Sequence, residues 1–357
     1  MRGTAAEGPA TTDDGPVQGL RVAMLAPISW RVPPRHYGPW ELVVSRLTEG
    51  LVARGVAVTL FATADSLTSA TLDAVCPRPL AEDPSLDAKV WEGLHIANAF
   101  EHARDADILH NHFDFLPLTY SRLVEVPIVM TIHGFSSPKI LPAYERYADR
   151  VRFVAISEAD RSARLRYAAT IHHGIPFEEY ALGRGDGGYL LFFGRIHPDK
   201  GVAEAIAVAR EAGLPLVIAG IVHDQAYYER EVAPHVDGAH VRYAGSVGRE
   251  EGDALLGGAV ALLHLVNFAE PFGLSMVEAM ACGTPVIATA RGSVPEVVED
   301  GVTGELVAGV GEAVGAVARV AAFDRAQVRA RAQLRFSRER MVDDYLALYS
   351  KIVAGEA

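Results

Sequence analysis

Apolar and polar positions along the chain fall into short, nearly continuous apolar runs separated by longer stretches of helical spacing. Leu20-Arg-Val-Ala-Met-Leu-Ala-Pro-Ile28 is an apolar run ended by proline, the pattern of a strand buried on both faces of a parallel sheet. Residues 40 to 54 then carry apolar side chains at helical spacing and stop at Gly55, and 56 to 62 reads as a second strand. Strand, helix, strand predicts a right-handed crossover unit. The alternation continues with strands at 106–110, 128–133, 152–156 and 170–172. After Gly183-Arg-Gly-Asp-Gly-Gly188 it resumes: strand 189 to 195, helix 202–212, strand 215–220, a helix near 227–236, strand 240–244, helix 250–258, strand 260–265, a helix over 275–282 and strand 285–290. Residues 331 to 353 predict one long terminal helix with Met341, Tyr345, Leu348, Tyr349 and Ile352 on one stripe, and packing that stripe back onto the first half is one way to bury it.

This order predicts an α/β protein of two doubly wound, Rossmann-like domains facing across a cleft. The expected division is a disordered leader over 1–19, an N-terminal domain over 20–182, a glycine-rich linker over 183–188, a second domain over 189–335, and a C-terminal helix over 336–357 that crosses to the first domain. The linker spells GxGxxG, but its strand follows it rather than precedes it, so a dinucleotide fingerprint is discarded.

Length and composition sharpen the picture. The 357 residues, 50% of them hydrophobic, are enough to bury a core in each of two domains. A net charge of −12 without a Lys/Arg block argues against nucleic acid or an anionic membrane surface as main partner, so any bound anion must be held locally. Cys76 and Cys282 stand far apart in no metal-ligand or disulfide pattern, which suggests a reducing compartment. The first nineteen residues lack a signal-peptide layout and no apolar run reaches about 18 residues, so the expectation is a soluble cytoplasmic protein without a membrane span.

Two stretches carry the chemistry. In Glu270-Pro-Phe-Gly-Leu-Ser-Met-Val-Glu278, Pro271 and Gly273 keep Glu270 in a loop while a helix starts near Ser275. Both carboxylates then face one volume at a helix N-terminus, where the amides of Phe272, Gly273 and Leu274 are available to phosphate or sugar oxygens. The same residues also read as a capping box, Ser275 with Glu278, which would make Glu278 a helix fastener only. In Phe192-Phe-Gly-Arg195-Ile-His-Pro-Asp-Lys200-Gly201 the two cations flank a helix entrance, as a diphosphate clamp would, or as a solvated loop would. Histidines close several strands, and in an open α/β sheet ligands bind beyond the carboxyl ends, which favours His133 and leaves His110 and His112 open. Asp105-Ala-Asp107 abuts a strand start and reads as turn chemistry rather than a metal motif.

Taken together and in order, HYGPWE, Thr131-Ile-His133-Gly134, HHGIP, GRIHPDKG, EPFGLSMVEAMACGTPVIAT and VPEVVEDGVTGELV resemble the retaining glycosyltransferases of family 4, which have the GT-B fold, over about residues 26 to 307. The resemblance implies a nucleotide-sugar donor, a hydroxyl acceptor (sugar, lipid or natural product), a hexose-type sugar transferred with retention, and neither cofactor nor metal. It implies that Glu278 holds the ribose, Glu270 the sugar hydroxyls, Arg195 and Lys200 the diphosphate, the backbone of Phe272, Gly273 and Leu274 the sugar, and His133 the sugar beside the reacting carbon. Gly38 would face the phosphate. The family commonly has Gly-Gly where Gly38 is followed by Pro39 and Trp40, and Asn where His173 stands. For the acceptor side the expectation is Trp30, Arg31, His36, Tyr37, His112, Phe113 and Asp114. Two other classes stay open: a non-catalytic two-lobed binding protein, and a nucleotide-sugar epimerase on the same fold.

Overall fold

The computed structural model of the protein describes residues 19–134 and 136–356, so the expected leader lies almost entirely outside the described residues. Strands β1 (Arg21–Leu25), β2 (Ala57–Phe61), β3 (Thr71–Asp73), β4 (Ile108–Asn111), β5 (Ile128–Ile132), β6 (Val151–Ala155) and β7 (Tyr167–Thr170) form a sheet in the order β3-β2-β1-β4-β5-β6-β7. Strands β8 (Leu190–Phe193), β9 (Leu216–Ala219), β10 (Val241–Gly245), β11 (Ala261–His264), β12 (Val286–Thr289) and β13 (Gly304–Val307) form the other, in the order β10-β9-β8-β11-β12-β13. Every pairing is parallel. Both orders reverse once, between β1 and β4 and between β8 and β11, and ligand crevices of such sheets open beyond the strand ends at that reversal.

The helices are α1 (Pro39–Ala53), α2 (Ala88–His102), α3 (Leu141–Tyr147), α4 (Val202–Ala212), α5 (Gln225–Tyr227), α6 (Arg249–Gly258), α7 (Leu274–Ala281), α8 (Val294–Val297), α9 (Val310–Val320), α10 (Arg325–Phe336) and α11 (Arg338–Val353). This is the two-sheet α/β architecture expected from the alternating pattern. Continuous apolar runs give fully buried strands such as β5 and β11, because helices cover both faces of a parallel sheet.

Local reading fails at four places. The single terminal helix expected over 331–353 is two, α10 and α11, parted at Ser337, whose backbone is extended (φ −66°, ψ 148°) and whose Oγ caps α11. There the chain crosses between sheets and bonds to the first half: Ile175 N donates to Phe336 O and Arg338 N to Ile175 O. The helix expected near 227–236 is one α turn, a widened turn and a tight turn that ends around Pro234. The strand expected at 170–172 lies at 167–170, β3 is only three residues long, and β13 carries Glu305 within its four residues and so makes no continuous apolar run. Finally, no capping box forms: α7 starts at Leu274 behind Gly273, which sits at φ 82° as an N-cap without a side-chain bond, so Ser275 is already inside the first turn.

The stripe on α11 does what its spacing predicted. Met341, Tyr345, Leu348, Tyr349 and Ile352 are buried with Val22 and Met24 of β1 and Val43, Leu47 and Leu51 of α1. At about 25 cal/mol per Å² of apolar surface, each such side chain contributes roughly 1.5–3 kcal/mol, which ties the C-terminal helix to the first sheet. Substituting Gly50 of α1 would break this packing, since a Cβ there would sit 2.4 Å from Val342 Cγ2.

Candidate active site

The strand ends of the two sheets face each other across a cleft of about 820 Å³. From the C-terminal half, β8 ends next to Arg195, and a tight turn over Pro198–Lys200 delivers Lys200 to the start of α4. Beyond β11 the chain loops to Glu270, whose backbone is pinned by a bridge to Gly292 and by Ser293 N donating to Glu270 O. Lys200 Nζ then donates to Glu270 Oε2 at 2.6 Å, while it also lies 4.5 Å from the centre of the Phe268 ring. His264 Nε2, at the end of β11, stands 3.2 Å from the same carboxylate oxygen but out of line for a hydrogen bond. Burial by itself would raise the Glu270 carboxyl; the neighbouring His264 and the Lys200 ammonium outweigh it and hold its pKa below the ordinary carboxylate value. Glu270 is therefore an anion and an acceptor at neutral pH, not an acid.

Glu278 faces the cleft from the second turn of α7. Its Oε1 accepts from Arg46 Nη2 and from Tyr180 OH, each at 3.1 Å, and Arg46 Nη2 also donates to Tyr180 OH at 2.7 Å. The carboxylate is thus engaged through one oxygen by an arginine of the opposite half, which replaces the helix-fastening role that its spacing from Ser275 suggested.

From the N-terminal half, His133 follows β5 with its ring between Trp40 (centroids 5.4 Å, 21° between planes) and His173 (5.3 Å, 29°). Burial pushes its pKa down to about 3, so the ring is neutral. The next residue, Gly134 (φ 98°), lies where a Cβ would be 2.5 Å from Pro271 Cγ, and Ser157 Oγ donates to Pro271 O at 2.8 Å. The loop carrying Glu270 is in this way seated directly on the N-terminal half.

Of the expected donor-side residues, His133, Arg195, Lys200, Glu270, Phe272, Gly273, Leu274, Glu278 and Gly38 all line this one cleft. Trp30, His36, Tyr37, Phe113 and Asp114 line it too, whereas Arg31 and His112 do not. His112 is 1% exposed and sits behind His133, its two nitrogens against other histidines, so it is removed from the expected acceptor face. Asp107 is likewise elsewhere, bound to the amide and guanidinium of Arg21.

Among the lining residues that sequence reasoning missed are Glu41, Arg46, Tyr180 and His264. Glu41, 3% exposed, accepts from Trp30 N at 3.1 Å, and burial pushes its carboxyl up to about 7 against that bond. Its position in HYGPWE was the available signal. Arg46 and Tyr180 had none, since neither belongs to a motif or closes a strand. His264 did have one, since it ends a strand as His133 nearly does. Among the described residues no three His, Cys, Asp or Glu side chains are grouped as a metal site.

Two family models match adjoining stretches of the chain: Glycosyltransferase Family 4 over residues 41–179 and Glycosyl transferases group 1 over residues 180–331. The protein belongs to the family-4 glycosyltransferases with the GT-B fold. A D-inositol 3-phosphate glycosyltransferase of Mycobacterium tuberculosis is 42% identical over 104 residues, a stretch that spans 27% of this chain and only 22% of that relative. Among solved structures, sucrose-phosphate synthase from Thermosynechococcus elongatus superposes with a TM-score of 0.76 at 20% identity, covering 94% of this chain and 100% of that one. AviGT4, a glycosyltransferase involved in avilamycin A biosynthesis, gives 0.71 at 24% (94% and 98% covered), and Anabaena HepE in complex with UDP-glucose gives 0.69 at 19% (93% and 100%). At these identities the structures share the fold. Among the described residues no helix is long and apolar enough to cross a membrane.

Proposed function

We propose that the protein moves a hexose-type sugar from a nucleotide-diphosphate sugar to a hydroxyl acceptor, with retention of configuration and with fixed cations instead of a metal meeting the leaving group. The observation that carries this reading is the Lys200–Glu270 pair beside Arg195 and the first turn of α7: a carboxylate locked in its anionic form next to two cations and a helix N-terminus. Such a set accepts sugar hydroxyls at the carboxylate and offers positive charge to a diphosphate.

In this reading the ribose diol bonds the second oxygen of Glu278, Arg195 and Lys200 flank the diphosphate, and the backbone of Phe272, Gly273 and Leu274 follows the sugar. His133 lies at the sugar, Gly38 at the phosphates, and Trp30, His36, Tyr37, Phe113 and Asp114 face the acceptor. Arg31 stays a peripheral candidate. The bond from the anomeric carbon to the diphosphate oxygen breaks as the acceptor oxygen forms its bond on the same face. The acceptor's proton passes to the departing phosphate oxygen, whose growing charge Arg195 and Lys200 stabilise. The HepE structure is described as a UDP-glucose complex, which supports the donor class, and placement in the cytoplasm belongs to the same proposal.

The test is incubation with UDP-, GDP- and ADP-sugars and a panel of sugar, polyol and lipid alcohols, following free nucleoside diphosphate and the glycosylated product. Release that requires an acceptor is the expected result. Sugar isomerisation without release would select the epimerase instead, and tight binding without either would select a binding protein.

A further inference from the structure

The unpaired charges of the cleft differ in sign from one wall to the other. On the C-terminal side Lys200 pairs with Glu270 and Arg249 with Glu179 and Asp253, while Arg195 has no carboxylate partner among the described residues. On the N-terminal side the relation is inverted. There the cations are engaged, Arg35 by Asp65 and Glu82 and Arg46 by Glu278. The carboxylates Glu41 of α1, Glu92 of α2 and Asp114 after β4 also line this side, and none of them forms an ion pair with Lys, Arg or His among the described residues.

Each of the three is held without being neutralised. Glu41, 3% exposed, accepts from Trp30 N through Oε1, and Asp114 accepts from Leu116 N through Oδ1 at 2.7 Å. Glu41 Oε2, Asp114 Oδ2 and the whole Glu92 carboxyl take no hydrogen bond from another side chain among the described residues. Burial raises all three carboxyls, Glu41 to about 7, and the charge of Asp114 pushes Glu92 further in the same direction. No cation draws any of them back down. The same wall is aromatic: Trp30 and Tyr37 meet edge to face with centroids 6.5 Å apart, and Phe113 lines it next to Asp114.

We propose that Glu41, Glu92 and Asp114 select an acceptor that carries an ammonium group, such as an amino sugar or an aminocyclitol, and reject phosphorylated acceptors. A phosphate entering this wall meets partly desolvated carboxylates and no free cation, so repulsion excludes it. A neutral polyol bonds the carboxylates but leaves their charge uncompensated. An ammonium group compensates that charge, and the ring faces of the same wall attract it as well. The inference rests on the proposed transfer reaction for calling this ligand the acceptor, while the charge preference belongs to the free protein.

The test takes the whole protein without donor and a panel of sugars and cyclitols, each in its neutral, amino and phosphate form, with glucose, glucosamine and glucose 6-phosphate among them. Saturation-transfer NMR ranks their binding at neutral pH. At least one amine is expected to bind about tenfold more tightly than its neutral form, and no phosphate more tightly than its neutral form. The double variant Glu92→Gln/Asp114→Asn, which keeps the side-chain shapes, should lose most of that preference; Glu41→Gln, whose amide oxygen still accepts from Trp30 N, is a second variant should the double one not fold. Binding of the preferred amine should also release protons near neutral pH, read as a dependence of titration heat on buffer ionisation, and Glu41→Gln should abolish that release. Amines and neutral forms that bind alike, a phosphate form that binds best, or a preference that survives these substitutions overturns the proposal. Amine binding without sugar transfer from any nucleotide-sugar would overturn the proposed function and leave the charge preference standing.

Discussion

Arg46 of α1 and Glu278 of α7 meet across the cleft, Nη2 to Oε1 at 3.1 Å, with their side chains only 6% and 15% exposed. The Glu278 carboxylate is therefore a tie between the two halves. Removing the charge of one member leaves the other buried and unpaired. Glu278→Gln keeps an oxygen for Arg46 and Tyr180 but loses the anion, so its unfolding free energy is expected to fall by about 1.5–3 kcal/mol. Adding Arg46→Met to it should cost less than the sum of the two single changes. Calorimetric titration of the same variant with nucleoside diphosphates should show affinity at least about tenfold weaker; unchanged affinity would take the nucleotide away from Glu278.

Arg195 and Lys200 separate on stability. Either alanine variant is expected to lower turnover by about 10²–10³-fold, the usual loss when one donor to transition-state charge is removed. Lys200→Ala also strands the buried Glu270 carboxylate and should melt lower, whereas Arg195→Ala should melt like the parent. Steady-state rates beside thermal melts decide both, and normal turnover in either variant removes that residue from the diphosphate.

His133→Ala should bind free nucleoside diphosphate with nearly parental affinity while sugar transfer collapses, because the ring faces the part of the cleft assigned to the sugar. Equal losses in binding and transfer would make the residue structural.

Glu41 sets a pH dependence of stability. Its folded pKa of about 7 lies above its ordinary 4.5, so the native state prefers the protonated form. The stability this confers is fully present below about pH 4.5 and is lost as pH rises through 7, by about 3 kcal/mol, being 2.5 times 1.36. Asp160, also pushed up to about 7 by burial, adds a loss of the same sign. Glu41→Gln keeps the acceptor for Trp30 N and should gain on the parent progressively between pH 4.5 and 8. Denaturant unfolding at a series of pH values measures this, and parallel curves would place Glu41 in water.

Turnover is expected to survive excess chelator, because the fixed cations carry the leaving-group charge in the proposed mechanism. Activity lost on chelation and restored by magnesium or manganese would show that Arg195 and Lys200 are not sufficient.

By itself the sequence determined most of the alternation of strands and helices, the buried stripe of α11 and the stretches around Arg195, Glu270 and His133. Each is a local signal: an apolar run, a helical period, or a proline and glycine that break one. The nine residues that the family resemblance placed on the donor side line a single cleft. Tertiary structure alone decided that Glu278 answers to Arg46, 232 residues away, and not to Ser275, three residues away. It decided that Ser337 parts two helices, because the chain there pairs with Ile175, and that His112 lies behind His133 in a row ended by Tyr349. A buried polar group takes whichever partner the folded core brings within about 3 Å, and between residues that distant the chain carries no periodicity from which the partner could be read.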